Sequence, residues 1–145
     1  LAGRIETAYP RPYTTRPMHE FVATAGPLEK RTGVRATDVA KRLIDLGFHP
    51  STVYFPLVVD EALMIEPTET ETKETLDGFA DAMLEIAREA AGQAELLKEA
   101  PHVRPVKRLD EVRAAKQPVV RYRFEQHEDP AGTGEPRQLE AQKGA

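Results

Sequence analysis

No cysteine occurs among the 145 residues. Its absence removes disulfides, thiolate nucleophiles and cysteine metal sites, and fits a reducing, cytoplasmic compartment. Long apolar runs are lacking too. Phe55-Pro-Leu-Val-Val59 is among the longest, far short of the ~20 residues that a membrane span requires. No basic stretch followed by an apolar one marks a secretory leader at the N-terminus. The sequence therefore reads as a soluble protein with no membrane partner. Positive charge is not in excess: 20 Lys and Arg against 24 Asp and Glu leave a net −4. Nucleic-acid binders carry the opposite, a basic patch that neutralises the phosphate backbone. Gly3, Gly26, Gly33, Gly47, Gly78 and Gly92 never cluster ahead of a helix, so no phosphate cradle is present. His19, His49, His102 and His127 show no i, i+4 pairing and no closely spaced carboxylate set, which leaves no metal site. Internal repeats are absent. Leu1 rather than a methionine opens the chain, as expected of a cut piece or an incomplete reading frame.

What is present suits one domain with one core: 40% of the residues are hydrophobic and 30% charged,. Leu1 to Arg16 holds Pro10 and Pro12, with Pro17 just beyond; fixed φ angles and extended neighbours make residues 1–17 a connecting segment without helix. Met18 to Thr24 alternates as a strand covered on both faces, ended by Gly26-Pro27. From Ala36 to Leu46 the apolar residues recur at three- and four-residue intervals. That predicts a helix with Asp38, Lys41, Arg42 and Asp45 facing water, closed by Gly47. Thr52 to Val59 and Ala62 to Ile65 read as a hairpin turning at Asp60-Glu61, with Pro56 at a bulge or edge. Thr68, Thr70 and Thr72 offer N-cap hydroxyls to a long helix striped by Leu76, Phe79, Ala80, Met83, Ile86, Ala87 and Ala90. Gly92 interrupts it and Pro101 stops the last turns.

The order strand, helix, hairpin, helix implies an α+β layer over residues 18–100, a short sheet covered by two helices. Residues 101–124 read as an extended C-terminal segment. Residues 125–145 are too polar to offset their ordering entropy and read as a disordered tail.

Few residues here suggest chemistry. His19 and Glu20 form an acid–base pair by composition, but as strand neighbours they point to opposite faces, so only one can face a site. His19 equally suits a hydrogen-bonded position at a domain seam. His49, between Phe48 and Pro50, suits a capping or interface position. Glu69 and Glu71 suit the first turn of a helix. Glu66, ahead of Pro67 at the end of an apolar strand, reads as a buried carboxylate in need of a cation or backbone donors.

Met18-His-Glu-Phe-Val-Ala-Thr24, Asp38-Val-Ala-Lys-Arg-Leu43, Gly47-Phe-His49 and Met64-Ile-Glu-Pro-Thr-Glu69 stand in an order and spacing that resembles the carboxyl-terminal region of the glycine dehydrogenases (decarboxylating). These are the pyridoxal-phosphate-dependent P-proteins of the glycine cleavage system. The resemblance runs from about Leu1 to Tyr122, and the segment Ala100 to Lys116 resembles the ending of subunit 2 of the bacterial two-subunit form. It implies the aspartate-aminotransferase-like fold, fold type I, of which this chain is the small carboxyl-terminal domain. The implied reaction decarboxylates glycine and transfers the aminomethyl group to the lipoyl arm of the H-protein. The implied partners are a missing large domain, P-protein subunit 1 and the lipoylated H-protein. The cofactor of such an enzyme sits as a Schiff base on a lysine that follows a histidine. Here the four histidines are followed by Glu, Pro, Val and Glu, so pyridoxal phosphate belongs to a domain absent from this chain, and the chain alone is expected to be inactive.

Arg16, His19, Glu20 and Glu66 remain as candidates for the substrate side or the domain seam. An apolar surface is expected on Phe21, Val53, Phe55 and Met64, rimmed by Tyr9 and Tyr13, where the large domain packs. Two other readings stay open: a self-contained α+β binding module, and the small domain of a different pyridoxal-phosphate aminotransferase, with Arg16 taking the substrate carboxylate.

Overall fold

The computed structural model describes residues 1–121, which fall into two units, Leu1–Leu109 and the segment beginning at Asp110. In the first unit the elements run α1 (Ala2–Ile5), β1 (Phe21–Thr24), α2 (Gly26–Thr32), α3 (Ala36–Asp45), β2 (Thr52–Val53), β3 (Ala62–Ile65), α4 (Lys73–Gly92) and α5 (Ala94–Lys98). The second unit holds α6 (Glu111–Lys116).

The three strands form an antiparallel sheet in the order β1-β3-β2. Its register sets Phe21 opposite Ile65, and Ala23 and Val53 opposite Leu63. Because side chains alternate between faces, Phe21, Ala23, Leu63 and Ile65 share one side. They are buried in one cluster with Val39 and Leu43 of α3 and Met83 and Ile86 of α4. This is the expected small α+β layer. The hydroxyl of Thr72 accepts from the Thr75 N–H at 3.1 Å, which caps α4 where a threonine was expected to do so.

Several expectations are corrected. The connecting segment does contain a helix, the single turn α1, because the proline constraints begin only at Pro10. Ile5 and Tyr9 are wholly buried in the core, and the Tyr9 hydroxyl donates to the Met83 carbonyl at 3.1 Å. Burial pushes the Tyr9 phenol up, with Glu89 adding to the shift. Strand β1 starts at Phe21 instead of Met18, whose side chain is 97% exposed. Gly26-Pro27 does not merely end a strand; it opens α2, where proline is tolerated in the first turn,. Gly33, at φ +72°, closes that helix in the left-handed region, its N–H reaching the Glu29 carbonyl at 2.7 Å,.

The hairpin is shorter than expected. Tyr54 adopts φ +60° and Glu61 φ +45°, which end the pairing after Val53 and turn residues 54–61 into a loop. Phe55, Leu57 and Val58 are exposed on that loop. Phe21 and Tyr9 belong to the closed core and not to an exposed face, while Phe55 and Tyr13 are exposed and Val53 and Met64 half-buried. Asp38 and Asp45 do not face water: the Asp38 residue is 8% exposed and the Asp45 side chain 1%. Within the expected extended stretch 101–124 lies the helix α6. Tyr122, Phe124 and the tail 125–145 lie outside the described residues.

Candidate functional site

A cavity of about 410 Å³ opens where β3 hands over to α4. Met64 and Ile65 form its strand side, Glu66, Pro67 and Thr68 the hand-over, and Thr75, Leu76 and Phe79 the first turns of α4. The turn after α3 supplies Phe48, His49, Pro50, Ser51 and Thr52, and Leu1 closes one end. That turn is fixed by Gly47 at φ +87°, a backbone state glycine enters without a Cβ penalty. The Phe48 N–H is held by the Leu43 carbonyl at 3.0 Å. The rings of Phe48 and Phe79 meet edge to face, centroids 5.7 Å apart at 87°, and this pair makes the apolar floor. Glu66 and Glu71 stand exposed at the rim, as does His49.

Glu66 is thus placed in the cavity but corrected in environment: it is exposed and water solvates it. Arg16, His19 and Glu20 are exposed on the segment before β1 and do not line the cavity. His19 and Glu20 lie outside the strand, so alternation does not separate them; His19 Nε2 is 3.9 Å from Glu20 Oε2. The geometry joins Glu66, Glu71 and His49 in one cavity and leaves Arg16, His19 and Glu20 apart from it.

An apolar floor under an acidic rim accepts a group with an aliphatic or aromatic body and a positive charge. It does not suit pyridoxal phosphate. No lysine lines the cavity, and Glu66 and Glu71 would repel a phosphate. Lys73 pairs with Asp77, and Lys98 with Glu95 at 2.8 Å. Neither offers the desolvated amine that Schiff-base chemistry uses. Among the described residues no group of three or more His, Asp or Glu side chains is placed to hold a metal ion.

A second set of charges, missed in the sequence, organises the ends of α3. At its start the buried Glu61 carboxylate accepts from the Ala36 N–H at 2.6 Å and from Arg35 Nε at 3.3 Å. Asp38 accepts from the Arg35 N–H at 2.8 Å and pairs with Arg108 at 2.8 Å. Negative charge here complements the helix dipole. Arg42 grips Glu89 of α4 through two N–H groups, at 2.9 and 2.7 Å, and the Glu89 contact holds its guanidinium above the usual range. At the other end Asp45 accepts from the backbone N–H groups of His102 and Val103, at 2.7 to 2.9 Å, and pairs with Arg42 at 3.4 Å. Burial alone would raise the Asp45 carboxyl; the Val103 and His102 N–H groups together with Arg42 reverse this and hold it below its ordinary value. These groups are already paired within the fold and build structure.

Comparison with known proteins bears on the whole body. Residues 1–102 match the family model described as glycine dehydrogenase, C-terminal domain. The chain is 69% identical over 105 residues to the probable glycine dehydrogenase (decarboxylating) subunit 2 of Caldanaerobacter subterraneus subsp. tengcongensis, covering 72% of this chain and 21% of that protein. It is 57% identical over 125 residues to the protein of the same name from Listeria welshimeri, covering 86% of this chain and 25% of that one. For the Bacillus velezensis protein the figures are 56% over 122 residues, 84% and 25%. The chain spans about a fifth to a quarter of the length of these curated relatives.

Proposed function

Because the chain belongs to the family of glycine dehydrogenase C-terminal domains, we propose that it serves as the small domain of a glycine dehydrogenase (decarboxylating), in the form whose subunit 2 ends in such a domain. The observation that carries this is the extent of the match, residues 1–102, which takes in every element from α1 to α5. In this reading the complete enzyme decarboxylates glycine and passes the aminomethyl group to the lipoyl arm of the H-protein. Pyridoxal phosphate is held by the large domain, since the cavity residues here suit no phosphate. Residues 1–17 lead in from that large domain, anchored in the small domain by Ile5 and Tyr9. Residues 18–100 make up the small domain proper. The segment carrying Arg16, His19 and Glu20 supplies the side chains for the domain seam and the substrate side, with Glu66 at the cavity rim.

The partners of the assembled enzyme are the large domain, P-protein subunit 1 and the lipoylated H-protein, in the cytoplasm. Among the described residues no helix is long and apolar enough to cross a membrane.

Complementation tests the reading. A subunit 2 relative shortened to lack this domain is mixed with the 145-residue chain, subunit 1 and H-protein, and glycine-dependent release of carbon dioxide is measured. The expected result is activity that requires the added chain, and none from the chain alone. A folded chain that restores no activity, although the uncut relative is active in the same assay, would sink the proposal.

A further inference from the structure

The last described stretch, Val112–Arg121, contains Arg113, Lys116 and Arg121 and no acidic residue. Its Val112, Val119 and Val120 are 63%, 86% and 85% exposed, and α6 buries none of its residues. Cations interleaved with large apolar side chains in water form a surface that a contact would cover. The body carries the complement. The Phe48–Phe79 cavity has an apolar floor of the right size for a few aliphatic side chains, and Glu66 and Glu71 stand at its rim. Among the described residues neither these carboxylates nor the three cations take part in an ion pair. The stretch also lies beyond the family's domain model, which stops at residue 102. Yet the Listeria welshimeri match leaves only 20 of the 145 residues outside it, so it takes in all of Val112–Arg121.

We propose that the Val112–Arg121 arm of one copy of this chain lies in the Phe48–Phe79 cavity of a second copy. The valines cover the aromatic floor, and Arg113, Lys116 or Arg121 pairs with Glu66 and Glu71. Exchange in both directions makes the contact two-fold and self-closing, so it yields dimers and no filament. The inference does not depend on the glycine dehydrogenase reading, because it uses only the charge and exposure of arm and cavity.

Sedimentation of the full 145-residue chain against concentration, at low and high salt, provides the test. The native chain is expected to dimerise, more weakly as salt rises. Two reversed proteins, R113E/K116E/R121E and E66K/E71K, are each expected to dimerise at least about tenfold more weakly, a loss of roughly 1.4 kcal/mol or more. Circular dichroism should show both folded, since every replaced side chain is exposed. Mixed together, they should form a heterodimer, because the negative arm of the first then faces the positive cavity of the second, and the native positive arm of the second faces the native acidic cavity of the first. A native chain that stays monomeric at high concentration overturns the proposal. So does a dimer that ignores either set of reversals, or a mixture of the two that fails to associate.

Discussion

Glu61 and Asp45 show how single side chains set this fold. Glu61 is 8% exposed and supplies the acceptor for the first amide of α3. Removing a partner from a buried N–H costs about 1–3 kcal/mol. Glu61→Ala should therefore lower the urea unfolding free energy by about that much, while Glu66→Ala, at an exposed rim, should stay within about 0.5 kcal/mol of the native value. Asp45 makes a pH prediction. Its folded value lies below the ordinary 3.8, so its stabilisation is fully present above that pH and vanishes as pH falls through the lower folded value. The stability gap between the native chain and Asp45→Ala should be constant from neutral pH down to about 4 and close below it, as read from urea midpoints. Neither residue announces its role in the sequence. Asp45 sits where a polar helix face was expected, and the amides of His102 and Val103 that it binds lie 57 and 58 residues further along the chain. Glu61 read as half of a tight turn, because its partner Ala36 is 25 residues away.

Elements with a strong internal period were legible. The stripe of α4 needed only its own residues, and Ala80, Met83, Ile86 and Ala90 are buried as the spacing predicts. The end of β2 at Val53 was not legible in the apolar run to Val59, since the left-handed turn at Tyr54 is imposed from outside the run. Thr37 hydrogen-bonds the Tyr54 hydroxyl at 2.9 Å, and the Arg35 guanidinium lies 5.5 Å from its ring centroid. The candidate site was half legible. Glu66 was singled out in advance, but the floor required Phe48 and Phe79 to meet, and Phe79 read only as part of a core stripe. Two glycines separate backbone need from local propensity. Gly47 is at φ +87° and a Cβ there meets nothing within 4 Å, so Gly47→Ala should cost about 1 kcal/mol through backbone strain alone,. Gly92, in the last turn of α4 with equally open space and no positive φ, should gain up to about 1 kcal/mol from the same change,. Thermal melts of the two variants should move in opposite directions.

For the molecule as a whole, the body closes its own core. Tyr9 and Phe21, expected at an exposed seam, are buried with α4, and the large apolar groups left in water lie on the segment before β1, the loop 54–61 and the stretch from Val103 onward. At protein concentrations low enough for the full chain to be monomeric, a chain ended after Leu109 should melt within a degree or two of it, because α6 buries no residue,. A chain ended after Leu97 should melt several degrees lower, having lost the buried Ala100 and the partners of Asp38 and Asp45,. Differential scanning calorimetry on the three lengths distinguishes the cases. A composition of 40% hydrophobic residues indicated one core; that residues 1–9 belong to it follows from a tyrosine whose partner lies in α4, which local pattern does not reveal.

The grip of Asp45 on the following strap has a consequence for sequence drift. It holds main-chain N–H groups, which every residue except proline possesses. The address of the strap is therefore written in Asp45, not in the residue it holds at position 103, whose own side chain is 67% exposed. Over evolutionary time position 103 is free to wander through polar, charged or apolar types without unfastening the strap. Proline is the one entrant it has to refuse, and a replacement of Asp45 by a residue without a side-chain oxygen would remove these N–H contacts whatever stands at 103.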